Sequence, residues 1–177
     1  YEELLTDVVT LLINYSRLFE HRQADAKGTY TELHFEFSDV AYPLQSLATE
    51  TGSTISHDAI TEYADDSVTV IVTVEEGDVE RVLEYAYVAT RLVDATRVGD
   101  DGSRKLSLGI RRPCLAPGIK KHGGRLVYAL TDPKHTRIQV ELPMQVSKRP
   151  LLDFLTRQYE NIDMVAQYED VTPSSPD

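Results

Sequence analysis

Val68-Thr69-Val70-Ile71-Val72-Thr73-Val74 is a run of seven β-branched residues. Such side chains are stiff at χ1 and fit a pleated surface better than a helix, so the stretch predicts a strand. Immediately before it, Ala64-Asp65-Asp66-Ser67 reads as a hairpin turn, and strand-like residues 54–63 precede that turn. Immediately after it, Asp78 is placed to cap a helix carrying Val79, Val82, Leu83 and Ala86 on one face. The stretch is the most strongly β segment of the chain and predicts a hairpin followed by an amphipathic helix.

Working outward, residues 30–37 alternate, with Thr31, Leu33, Phe35 and Phe37 set against Glu32, His34 and Glu36, as in a half-buried strand. Residues 40–51 turn helical, with Leu44, Leu47 and Ala48 on one face, Pro43 in the first turn and Gly52 as the stop. A strand over 91–98 follows the second helix, and Gly99-Asp100-Asp101-Gly102 interrupts the pattern. The same order then recurs. Residues 105–111 read as a strand, 116–122 as a short helix stopped by Gly123-Gly124, and 125–130 and 137–142 as strands around Thr131-Asp132-Pro133-Lys134. Ser147 can cap a helix holding Leu151, Leu152, Phe154, Leu155 and Tyr159, and residues 164–168 close the series as a strand.

The expected class is α+β: two tandem ferredoxin-like (βαββαβ, ACT-like) units, residues 28–98 and 99–170, joined at 99–102. An N-terminal helix over 1–27 precedes them and a linker over 171–177 follows. In that helix Leu4, Val8, Leu11, Tyr15 and Leu18 follow 4-3-4-3 spacing, with Leu5, Leu12 and Phe19 repeating every seven residues beside them. Either a homodimer seam or a stripe packed on the chain's own sheet satisfies that pattern. The first residue being Tyr1, a fragment of a longer protein is expected.

The 177 residues carry a net charge of -11, with 12 Arg, 6 Lys and no Trp. That composition suits a protein kept soluble in concentrated salt as well as an ordinary acidic cytoplasmic one. Charge is unevenly spread: residues 1–100 hold 20 acidic and 6 basic side chains, whereas 101–160 hold 5 and 12. Whole-chain nucleic-acid binding does not fit an acidic chain. The basic second half either faces an acidic partner or is attracted to the first half. Arg104, Lys105, Arg111, Arg112, Lys120, Lys121 and Arg125 form its candidate contact surface, although consecutive Arg111 and Arg112 point to opposite sides of a strand.

Little else suggests chemistry. His21, His34, His57, His122 and His135 lie on different elements without metal-ligand spacing. The paired acids Asp65-Asp66 and Glu75-Glu76 sit at a turn and a helix start, where turn and cap roles explain them. Cys114 beside Pro113 has no histidine near it in sequence, and neither a nucleophile elbow nor a phosphate-binding glycine loop is present. No cofactor and no enzymatic activity are expected, and no apolar run approaches the ~20 residues that span a bilayer.

Thr31-Glu32-Leu33-His34-Phe35-Glu36-Phe37, Leu47-Ala48-Thr49-Glu50-Thr51-Gly52, Val72-Thr73-Val74-Glu75-Glu76-Gly77-Asp78-Val79-Glu80-Arg81-Val82-Leu83, Val140-Glu141-Leu142-Pro143 and residues 151–168 together resemble a domain of the bacterio-opsin activator (Bat) family of haloarchaea. The resemblance covers about residues 28–170 and rests on core patterning. It implies a cytoplasmic transcription regulator in which this domain lies between sensory PAS or GAF domains and a helix-turn-helix that reads DNA. It also strengthens the high-salt reading of the composition, and it assigns no functional residue. A second expectation is an ACT-like module that binds a small-molecule effector; the glycine-bearing loop this needs is absent from Ser38-Asp39-Val40-Ala41 and approached only by Pro117-Gly118.

Overall fold

The computed structural model describes residues 29–62, 67–89, 92–111 and 114–171. The expected N-terminal helix, its seam Leu4, Val8, Leu11, Tyr15 and Leu18, and Arg112 lie outside the described residues. Twelve elements follow in chain order: β1 Tyr30–Phe37, α1 Pro43–Thr51, β2 Thr54–Glu62, β3 Ser67–Glu76, α2 Val79–Val88, β4 Leu92–Val98, β5 Lys105–Arg111, α3 Leu115–Lys121, β6 Arg125–Thr131, β7 Thr136–Pro143, α4 Arg149–Gln158 and β8 Asp163–Val171. The βαββαβ order read twice from periodicity is present twice.

The assembly of those elements corrects the tandem expectation. The strands form one eight-stranded antiparallel sheet in the order β4-β5-β3-β2-β6-β7-β1-β8. Read outward from the middle, the order pairs β2 with β6, β3 with β7, β5 with β1 and β4 with β8, as a pseudo-two-fold axis would. In a self-contained ferredoxin-like unit, the place between the third and fourth strands belongs to that unit's own first strand. Here β5 fills it in the first half of the sheet and β1 fills it in the second. The first strands are exchanged, so neither half of the sequence closes a sheet by itself.

The cause lies at residues 99–102. Gly99 has φ +93°, Asp100 Oδ1 accepts from the Gly102 N–H at 3.1 Å, and Ser103 N donates to the Asp100 carbonyl at 3.0 Å. This is a tight hairpin turn and not a linker between units. A turn of that length joins only adjacent antiparallel strands, so β5 must lie beside β4. β5 takes the inner side of β4, between it and β3, and β1 lies between β7 and β8.

All four described helices bury into one layer. Leu44, Leu47, Val82, Ala86, Leu115, Ile119, Leu151 and Leu155 join Leu33, Phe35, Val70, Val72, Leu106, Leu108, Ile138 and Val140 in a single cluster. On the opposite, open face Ala59, Ile71 and Val98 form a small separate cluster. Local signals held where they were strongest. Asp78 caps α2 through Oδ1, which accepts from Glu80 N at 3.0 Å, and Gly52 ends α1 in the left-handed region. At α4 the cap is Lys148, while Ser147 Oγ accepts from Arg149 N at 3.4 Å. The short α3 packs closely on α4: a Cβ on Gly118 would lie 2.1 Å from the Phe154 ring, which itself stacks on His122 at 4.8 Å.

Candidate functional site

The corner at which the chain joins and leaves the sheet is the most distinctive place in the fold. Tyr30, at the start of β1, is the register partner of Val171, at the end of β8. Opposed Cα atoms in an antiparallel pair are ~5 Å apart, so the incoming and outgoing chain run side by side. The incoming strand is firmly held. β1 pairs with β7 in unbroken register from Tyr30↔Pro143 to Phe37↔Thr136. Met144 N donates to the Thr29 carbonyl at 3.4 Å and the Thr31 hydroxyl donates to Met144 Sδ at 3.2 Å. The outgoing strand is held less regularly. β8 is an edge strand, its register on β1 shifts twice, and Met164, Val165 and Tyr168 on it are exposed.

Two ties connect this corner to the helical layer. Asp39, in the turn after β1, is buried; its Oδ1 accepts from Ala41 N at 2.8 Å and its Oδ2 accepts from Glu160 N, after α4, at 3.0 Å. Beside it, Phe37 stacks on Tyr159 at 4.6 Å, and Tyr42 meets both rings edge-on. Burial, with a smaller contribution from Cys114, pushes the Tyr42 phenol far above its ordinary value, so it remains neutral.

Across the middle of the sheet a buried polar chain joins the two halves of the sequence. Gln45 on α1 donates from Nε2 to the Asp132 carbonyl at 2.9 Å, and its Oε1 accepts from the Thr136 hydroxyl at 2.9 Å. Thr136 in turn lies 3.0 Å from Thr131, and Thr49 donates to the Pro133 carbonyl at 3.0 Å. Nothing in the local pattern flagged this joint, because one glutamine on an apolar helix face carries no sign of its partner.

The hairpin that receives α1 is organised by Asp132, whose Oδ1 accepts from Lys134 N at 2.7 Å and His135 N at 2.9 Å. Burial works to raise the Asp132 carboxyl. The backbone bonds from His135 and Lys134, with the His135 ring, outweigh it and hold the group below its ordinary value of 3.8. A carboxyl depressed by folding stabilises fully above its unfolded pKa, and that contribution is lost as pH falls through the lower folded value. Asp132→Asn is therefore expected to lower the melting temperature at neutral pH. The deficit should shrink in acid below about pH 4, as thermal melts across a pH series would register.

On the open face, charged side chains pair with one another. Glu32 meets His34 at 2.8 Å and accepts from Gln139 Nε2 at 2.7 Å, and His34 meets the Tyr168 ring edge-on. Arg137 reaches Glu36 at 3.2 Å and Lys105 reaches Asp58 at 2.8 Å; both pairs link the acidic first half of the sequence to its basic second half. The attraction between halves read from the charge distribution is thus built into the exchanged strands.

The described candidate basic residues lie on several elements, and two of them are engaged locally. Arg104 is spent on the β3–α2 turn, donating to the Val74 carbonyl at 2.7 Å and the Gly77 carbonyl at 2.6 Å. Arg125 pairs at 3.3 Å with Glu141, whose side chain is 1% exposed. Arg111 ends β5, while Lys120 and Lys121 occupy the last turn of α3, where a helix C-terminus favours cations. Gly118, the glycine nearest to an effector loop, sits inside α3, where a Cβ would lie 2.1 Å from the Phe154 ring. Among the described residues no three His, Cys, Asp or Glu side chains converge on a metal position, and no helix is long and apolar enough to cross a membrane.

An eight-stranded antiparallel sheet of two related halves, with helices on one side and its first and last strands paired, defines an α+β domain. Residues 28–176 match the BAT family, described as the GAF and HTH_10 associated domain, and the chain belongs to it. The chain is also similar to the bacterioopsin transcriptional activator of Halobacterium salinarum, with 24% identity over 157 residues. That alignment takes in 88% of this chain and 23% of the relative, so the chain spans about a quarter of that protein's length. The family's description associates the domain with GAF and HTH_10 domains, and the relative is by its name a transcriptional activator.

Proposed function

We propose that this domain is a non-catalytic relay in a cytoplasmic transcription regulator, passing a signal from an N-terminal PAS or GAF sensor to a C-terminal helix-turn-helix. The observation that carries the reading is the pairing of Tyr30 with Val171. A spacer would hold its two ends apart, whereas this sheet clasps them together. A change in the incoming segment therefore reaches the outgoing one directly, across the single β1–β8 ladder. Because β1 is held by β7 as well, while among the described strands β8 pairs with β1 alone, the outgoing strand is the freer to respond. The heptad residues Leu4, Val8, Leu11, Tyr15 and Leu18 would bring two copies together upstream of this corner. An acidic, lysine-poor composition supports a salt-rich cell interior as the working environment.

The adjoining ends permit a clean test. In a full-length regulator carrying this domain, residues 30–171 are replaced by a single glycine, which bridges the ~5 Å gap and leaves the flanking segments in place. Target-promoter binding in an electrophoretic shift should persist, while transcription from a reporter should no longer follow the inducing signal. A reporter response identical to that of the intact regulator would sink the relay.

A further inference from the structure

The two ends of the helical layer are equivalent in position and opposite in charge. Helices α2 and α4 are related by the pseudo-two-fold arrangement of the sheet. At the α2 end Glu76, Asp78, Glu80 and Glu84 are exposed together with one base, Arg81. At the α3–α4 end Lys120, Lys121, Lys148, Arg149 and Arg157 are exposed together with two acids, Asp153 and Glu160. Pairing separates the two sides of the molecule further. The open-face charges are taken up by one another, as described above, and on α2 Glu80 alone reaches a base, Arg97 on β4. Among the described residues Glu76, Glu84, Lys120, Lys121, Arg149 and Arg157 form no ion pair. Beside them on α2, Tyr87 and Val88 are 71% and 75% exposed, although α2 has its apolar anchors Val79, Val82 and Ala86 already buried.

We propose that the helical layer is an interface for a second copy of this chain, with α2 of each copy lying against α3–α4 of the other. Half a turn about an axis between the layers and parallel to the strands brings acid over base at both ends and closes the pair as an isologous dimer. The other in-plane axis sets α2 on α2 and α4 on α4, like charge on like, and is disfavoured. Tyr87 and Val88 supply the apolar contact such an interface needs near its charged groups. Every chain tested carries Leu4→Asp with Leu11→Asp, which disables the heptad seam, so association through the helical layer is read by itself.

The test uses the full chain at the lowest salt at which its far-UV circular dichroism stays native, since exposed charge pairs are screened by salt. Sedimentation velocity should give two copies for the parent. Glu76→Lys with Glu84→Lys, and separately Lys121→Glu with Arg157→Glu, should each give folded monomers, with self-affinity reduced at least roughly 100-fold. Mixed in equal amounts, the two variants present base against acid at both contacts and should return to the mass of two copies. A monomeric parent, a two-copy mass that survives either reversal, or a mixture that stays monomeric would each overturn the proposal.

Discussion

Cut between Asp100 and Asp101, the chain is expected to yield two fragments that are unfolded apart and that assemble on mixing into one sheet. The first fragment carries β1 without β7 and β8, and the second carries β5 without β3 and β4. In β1 alone, Leu33, Phe35 and Phe37 are at most 3% exposed, and burying each is worth about 1.5–3 kcal/mol. Losing all three approaches the whole stability of a typical domain, about 5–15 kcal/mol. Nor can β1 simply take the place of β5. Gly109 of β5 lets its N–H reach Asp94 Oδ1 at 3.0 Å, and a Cβ there would come within 2.7 Å of Val93; β1 has no glycine to offer. Affinity pull-down with a tag on one fragment, together with circular dichroism of each alone, checks the outcome. Two fragments that fold independently and do not associate would refute the exchanged topology.

Phe37→Ala should be the most damaging single truncation at the β1–α4 junction, costing about 3–5 kcal/mol. The ring is 1% exposed and is stacked on Tyr159 with Tyr42 against its edge. Its removal leaves a void that two further rings line and cannot fill without leaving their rotamers. For a chain of this size that is a drop of roughly 10 °C in Tm. Val40→Ala, three residues away and 72% exposed, should stay within about 0.5 kcal/mol. Calorimetry of both variants separates a packing effect from a local backbone effect: equal losses would mean that the aromatic group does not anchor this corner.

Element types were legible in the sequence because each rests on short-range physics. The β-branched run at 68–74 became β3, and Asp78 and Gly52 became the caps their chemistry predicts. Even α3, interrupted by Pro117, formed where Leu115 and Ile119 could bury one face. Strand partners were not legible, since alternation says which side of a strand is buried and nothing about its neighbour. The missed cue was Gly99-Asp100-Asp101-Gly102. Its composition serves a linker and a tight turn equally, and only the β4–β5 ladder and the hydrogen bonds of Asp100 decide for the turn. The candidate site fared similarly. Basic residues close in sequence dispersed, because Arg104 turns to the Val74 and Gly77 carbonyls while Arg125 turns to Glu141. The corner formed by Tyr30 and Val171 joins positions at opposite ends of the domain, which no local motif could reveal.

The place of β1 also bears on how the chain must be made. Of the described strands it is the first to leave the ribosome, and both of its neighbours are among the last. Until β7 and β8 emerge, an apolar strand ending in Phe35-Glu36-Phe37 waits with no lasting partner. Contacts this distant in sequence slow folding and lengthen the exposure of sticky surface. Folding of this domain therefore finishes only after nearly all of it has been synthesised, and truncated nascent chains should be prime clients for chaperones.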